Sequence, residues 1–197
     1  MLLIKKLMNL VNKMLNKNNN KIAQITLKIL KIKSWKNLSL EEVKKKSKIK
    51  NFDKLIKHKK DLLKKINQYF DYKLSLESSK IEKSNNKDMI FEVIMMRFDI
   101  LQIYRKEIKS VFNSFKKKPQ DLVFFLPNLL DSIVFMLGLT EISTKGLRGK
   151  LKIKGIFIVY LMGFLVWIKD ETSSLEKTMT SIDSSLDQAG KIIKFLS

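Results

Sequence analysis

Gly155 to Ile168 reads GIFIVYLMGFLVWI, fourteen residues without a charge between Lys154 and Lys169. A membrane-spanning helix needs about 20 consecutive apolar residues. The run is too short for that and predicts a helix buried on nearly all sides. A helix that is apolar all round sits at the centre of a helical domain or at an oligomer interface. Gly155 and Gly163, eight residues apart, fall roughly on one face and would let another helix come close.

The chain around it has 197 residues, with two prolines and six glycines. So few breakers favour long helices over many short strands. No cysteine is present, which removes disulfides, a thiol nucleophile and cysteine-ligated zinc. The formal net charge is +21, and it is unevenly placed. Residues 1–87 carry 24 of the 40 basic residues but only 7 of the 19 acidic ones. Only three of the basic residues are arginine. A coding bias towards lysine raises the total but does not explain the asymmetry. A basic front half beside a nearly neutral back half points to a polyanionic partner, nucleic acid or anionic lipid.

Residues 2–15 place Leu3, Leu7, Leu10, Val11 and Met14 at helical spacing among lysines and asparagines. This is the pattern of an amphipathic N-terminal extension, assigned to 1–20, and it suits a surface helix or contact with a membrane. A second helix is expected at 21–33, with Ile22, Ile25, Ile29 and Leu30 as its stripe. Trp35 follows in a turn. Ser39-Leu40-Glu41-Glu42 is a capping box, in which the serine oxygen can accept from the amide of Glu42. It starts a short helix over about 40–47. Another short helix is expected at about 52–58. A longer one begins near Lys59, with Leu62, Leu63, Ile66 and Phe70 inward. Short helices with lysine on the outward positions are the layout of a helix-turn-helix domain. That domain is assigned to 21–80, and the remainder, 81–197, to a second helical domain.

In the second domain, Ile90, Ile94, Arg97, Leu101, Tyr104, Ile108, Val111 and Phe115 predict one long helix over 88–115. Arg97 lies inside that stripe and needs an anionic partner; Asp131 is the candidate. Residues 122–139 read as a core helix kinked at Pro127, and 140–150 as a loop. Leu175, Met179, Ile182, Leu186, Ala189, Ile193 and Leu196 form a heptad seam. It packs against the central helix or a copy of itself.

Lys21 to Leu63 resembles the DNA-binding domain of TetR-type transcriptional regulators. The resemblance rests on the stripe of 21–33, Trp35, LSLEEV at 38–43 and Lys59-Lys60-Asp61-Leu62-Leu63. The Ala-Gly that usually precedes the turn is here Lys46-Ser47 or Ser47-Lys48. The recognition segment is about two residues shorter than in that family, and Ile56 stands where phenylalanine is expected. DMIFEVIMMRFDILQIYR at 88–105, GLTEISTKGLRG at 138–149, WIKDETSSLEKTM at 167–179 and Asp183 look like the ligand-binding half of a bacterial TetR-like subgroup. The resemblance implies an all-α, TetR-like regulator. It would have a small helix-turn-helix domain, a larger domain binding a small apolar ligand, and a homodimer formed by its last two long helices. A weaker resemblance is to TetR-fold lipid-binding accessory proteins of coenzyme Q biosynthesis.

No residues are set out as a catalytic or metal site, so a non-enzyme without cofactor is expected. His58, the sole histidine, lies among lysines. Double-stranded DNA would meet Ser39, Lys44, Lys48, Lys50, Asn51, Lys54, Lys57 and Lys59, with Asn51 and Lys54 reaching bases. Phe91, Met95, Phe98, Tyr104, Phe125, Phe135, Tyr160, Phe164 and Trp167 are candidates for a pocket lining, although the aromatic ones read first as plain core. Leu175, Met179, Ile182, Leu186, Ala189 and Ile193 are the candidate dimer contacts. Under this reading the protein works in the cytoplasm. The alternative is a lipid- or isoprenoid-binding accessory protein that no longer reads DNA, docked by its basic front on anionic membrane.

Overall fold

The computed structural model describes residues 17–195, with side chains at 80 and 192–195 left aside. The amphipathic extension expected at 2–15, and the Ile193 side chain and Leu196 of the heptad seam, lie outside what it describes. Among the described residues the secondary structure is entirely helical. The helices are α1 (Lys17–Leu30), α2 (Leu40–Ser47), α3 (Phe52–Leu55), α4 (Asp61–Glu77), α5 (Asn86–Ile103), α6 (Arg105–Phe115), α7 (Pro119–Leu139), α8 (Gly146–Trp167) and α9 (Glu176–Phe195). Short 3-10 turns occupy Trp35–Asn37 and Ser78–Lys80.

The chain forms two compact units. Of the described residues, the first holds those up to Leu74 together with Ile100–Leu129, and the second holds Ser75–Asp99 together with those from Leu130 onward. The division differs from the expected boundary near residue 80, because Ile100–Leu129 belong with the front of the chain. The physical reason is that α6 packs on α1 and on the Trp35 turn. The amide of Trp35 donates to Ser110 Oγ at 2.8 Å.

In the first unit α1 buries Ile22, Ala23, Leu27, Ile29 and Leu30, while Ile25 is only half-buried. Val43 of α2, Phe52 of α3 and Leu62, Leu63, Ile66, Phe70 and Leu74 of α4 complete the core. Asn67 of α4 donates to the carbonyl of Asn128, tying α4 to the front part of α7. The helix expected over 88–115 is broken: Tyr104, with φ −113° and ψ 24°, separates α5 from α6. Its hydroxyl lies 3.4 Å from that of Tyr69.

In the second unit α8 and α9 pack along their lengths. The central helix starts at Gly146, nine residues before the apolar run, so half of the expected 140–150 loop is helix. Gly149 is what lets that start fold back, because a Cβ there would land on the backbone of Thr144. The central run is not buried all round. Ile156, Val159, Tyr160, Gly163 and Trp167 face inward, but Ile158, Met162 and Leu165 are 56%, 46% and 53% exposed. Gly163 carries the close approach to α9: a Cβ there would come 2.8 Å from Ile182 Cγ1.

The expected partner of Arg97 is also corrected. Arg97 is fully buried, whereas Asp131 is exposed. Within this unit the guanidinium donates to Tyr160 Oη at 3.1 Å and to Ser132 Oγ at 3.4 Å. Helical phase explains the miss: Asp131 precedes Ser132 by one residue, about 100° round the helix.

α7 is a continuous 21-residue helix with Pro127 inside it. By length and composition it is the one described helix apolar enough to cross a membrane, with mean hydropathy 2.0 and a third of its apolar window buried. A soluble core helix passes the same test, so this by itself assigns no location.

Candidate functional site

Residues 39–61 of the first unit form a basic face with a clear local logic. The Ser39 hydroxyl accepts from Glu42 N–H at 3.2 Å, which is the serine half of the expected capping box. Glu42 turns outward and accepts from Lys33 at 2.8 Å and from Lys46 at 3.0 Å. Those two hydrogen bonds, Lys33 first, hold its carboxyl below the usual range. α2 ends on Lys48, which adopts the left-handed conformation with φ 53° and ψ 34°. Ser47-Lys48 thus closes the helix, with Ser47 fully buried. A lysine at this position accepts a backbone strain that glycine would not carry.

From here the chain alternates. Ile49, Phe52 and Ile56 point into the core. Lys48, Lys50, Asn51, Lys54 and Lys57 remain exposed between them. The recognition segment expected over 52–58 is one helical turn, Phe52–Leu55. The chain then extends at Ile56, and the N–H groups of Lys57 and His58 both donate to Asp61 Oδ2, at 2.9 and 2.8 Å. This closes the turn before α4 and leaves His58 exposed.

Three of the expected DNA contacts, Ser39, Lys44 and Lys59, are already engaged. The Ser39 hydroxyl is used as a cap, and Lys44 pairs with Asp53 at 2.7 Å. The Asp53 hydrogen bond raises the Lys44 pKa. Lys45, Lys48, Lys50, Lys54 and Lys57 have no ion-pair or hydrogen-bond partner through their ammonium groups among the described residues. Lys59 is set apart. Its ammonium donates to the carbonyl of Lys36 at 3.1 Å and lies 5.3 Å from the centre of the Trp35 ring.

Lys59 faces a groove of about 660 Å³ in the same unit. The groove is lined from three directions: the Trp35 turn, the approach to α4, and the end of α6 with the start of α7. The sequence reading missed it. The runs Lys57-His58-Lys59-Lys60 and Lys116-Lys117-Lys118 were its only linear signals, and nothing local shows that they meet.

The residues expected to line an apolar pocket are divided between the units. Tyr104 and Phe125 belong to the first, where Tyr104 meets Tyr69 and Phe125 stacks on Phe115. Burial, followed by the Tyr69 hydrogen bond, pushes the Tyr104 phenol well above its ordinary range. Phe91, Met95, Phe98, Phe135, Tyr160, Phe164 and Trp167 belong to the second. Phe98 stacks on Tyr160 at 5.3 Å and touches Trp167, which also meets Phe164. Phe98, Phe135, Tyr160 and Trp167 are buried and serve as packing, while Phe91, Met95 and Phe164 are half-buried.

The candidate dimer contacts are likewise mostly internal. Leu175, Ile182 and Leu186 are buried within the chain, Ala189 is half-buried, and Met179 is 39% exposed. The apolar surface left uncovered in this unit lies chiefly on α8. Among the described residues no group of three or more His, Cys, Asp or Glu side chains is placed to hold a metal ion.

No protein-family model, curated protein or solved structure gives a significant match to this chain.

Proposed function

We propose that the protein is a TetR-like, dimeric DNA-binding regulator whose second unit responds to a small apolar ligand. The observation that carries this reading is the alternation over 48–57. Three apolar anchors fix the segment to the core, and four lysines and an asparagine are held outward between them. Such an array meets phosphates through point charges and positions the protein on a duplex. A recognition helix of one turn supports tight backbone contact better than detailed base reading. Asn51 and Lys54 are the side chains assigned to bases. The uncovered stripe of Ile158, Met162 and Leu165 supplies the homodimer contact of this reading, in place of the buried seam on α9. A gel shift against random and promoter duplexes, run over a range of salt, tests the proposal. No shift at low salt would sink it.

A second reading has one observation in its favour. Val123 and Phe124 are exposed on the apolar helix α7, and Lys60 lies 4.1 Å from the Phe124 ring. Apolar side chains beside lysines suit an anionic lipid surface. In that case the protein would be a membrane-docked lipid-binding accessory protein. Flotation with anionic and zwitterionic vesicles separates the two. Retention on anionic vesicles without a gel shift would favour the lipid reading.

A further inference from the structure

The groove beside Trp35 has a chemistry that the DNA reading touches only through Lys59. Its cationic lining is Lys36, Lys59, Lys60, Lys117 and Lys118, against one carboxylate, Asp121. None of these five lysines is in an ion pair among the described residues. The five lysines therefore outnumber the single carboxylate of the groove.

Lys59 is the best fixed of the five. Its ammonium is held by the Lys36 carbonyl and the Trp35 ring. Burial lowers its pKa, the charge of Lys118 lowers it further, and Asp121 opposes both. A bound anion would relieve the two unfavourable effects together. Neutral polar side chains stand alongside. Ser110 accepts from the Trp35 amide, and the exposed Asn113 also lines the groove. Lysine ammoniums act on phosphates as compact point charges. The volume is that of a small-molecule site.

We propose that this groove binds a small, multiply charged phosphate ester, of the size of a nucleoside diphosphate. Several lysines line one concave site, and a site of that charge suits adjacent phosphates rather than a single carboxylate. The site spans the Trp35 turn, the start of α4 and the α6–α7 junction. It shares only Lys59 with the residues assigned to DNA, so the two proposals stand or fall separately.

The test is calorimetric titration of the full chain with ADP, with inorganic pyrophosphate and with inorganic phosphate at low salt. The variants are Lys117→Gln with Lys118→Gln in the groove, and Lys48→Gln with Lys50→Gln outside it. All four side chains are exposed, so the fold tolerates the changes. ADP and pyrophosphate should bind one site per chain, more tightly than inorganic phosphate. Stronger binding of ADP than of pyrophosphate would identify a nucleotide; equal binding would identify the phosphates alone as the recognised group. The groove variant should bind at least about tenfold more weakly, since two charge-assisted contacts are lost, and the outer variant should match the parent. An equal loss in both variants, or no binding of either ligand by the parent, would overturn the proposal. A short DNA duplex that displaces ADP and is itself weakened by the groove variant would also overturn it, by making the groove a nucleic-acid track.

Discussion

Two residues concentrate the local energetics. Lys48 holds a left-handed backbone at the end of α2, a conformation that costs a side-chain-bearing residue about 1 kcal/mol. Replacing it by glycine removes that strain but adds freedom to the unfolded chain. The strain is the larger effect in a fixed turn, so Lys48→Gly should stabilise by roughly 0.5 kcal/mol, read as a higher midpoint in urea. Asp170 is the opposite case. It is buried, and one oxygen accepts from Thr172 N–H and Oγ1 while the other accepts from Thr178 N–H and Oγ1. Burial alone would raise its pKa, but the hydrogen bonds from Thr172 and Thr178 outweigh burial and hold the carboxyl well below its usual range. A depressed folded-state pKa contributes stability that is present above the unfolded value near 4 and is lost as the pH falls towards the folded one. Asp170→Asn should therefore cost on the order of 2 kcal/mol at neutral pH. The gap between parent and variant, followed by denaturant unfolding, should be constant above about pH 5 and narrow below about pH 4. A gap that stayed constant down to acid pH would show that the carboxylate charge is not what the cap uses.

At the level of elements, the helices were largely legible because their signals are local. The Ser39 cap and the stripe of α4 are each written within a few residues. What failed was the assignment of faces. GIFIVYLMGFLVWI has no polar residue to mark its outer side, so Ile158, Met162 and Leu165 look as internal as Ile156 and Trp167. The heptad seam of α9 had the reverse problem. Its periodicity identifies a packed line but not the partner, and the partner is the chain's own α8, with Ile182 seated against Gly163. The two faces therefore respond differently to charge. Ile182→Asp should unfold the second unit, since an unpaired carboxylate would be buried in a core contact. Ile158→Asp with Met162→Asp should leave the helical circular dichroism and the unfolding midpoint near those of the parent. In sedimentation it should convert dimer to monomer. A parent that sediments as a monomer would remove the dimer from the proposal.

For the molecule as a whole, the sequence carried the charge asymmetry but not the division of the chain. Ile100–Leu129 join the front unit through contacts such as Trp35 N–H to Ser110 Oγ, made across 75 residues, which no local pattern records. The basic groove was hidden for the same reason: Lys59 and Lys118 are neighbours only after folding. The asymmetry itself has a quantitative consequence. Counterion release makes log K for duplex DNA fall with log salt by about 0.9 for each phosphate neutralised. Lys45, Lys48, Lys50, Lys54 and Lys57 are the lysines of the basic face outside the groove that have free ammonium groups, so a chain that uses all of them should show a slope of about −4 to −5. Lys54→Glu with Lys57→Glu removes two of these contacts and places like charges against the phosphates. Its slope should be shallower by about 2 per bound chain, and binding should vanish in gel shifts at moderate salt. The sedimentation mass should not change, because both residues lie in the first unit and the α8 stripe in the second. An unchanged slope would move DNA contact away from the 48–57 segment, and loss of the dimer in the same variant would contradict the separation of charge and association between the two units.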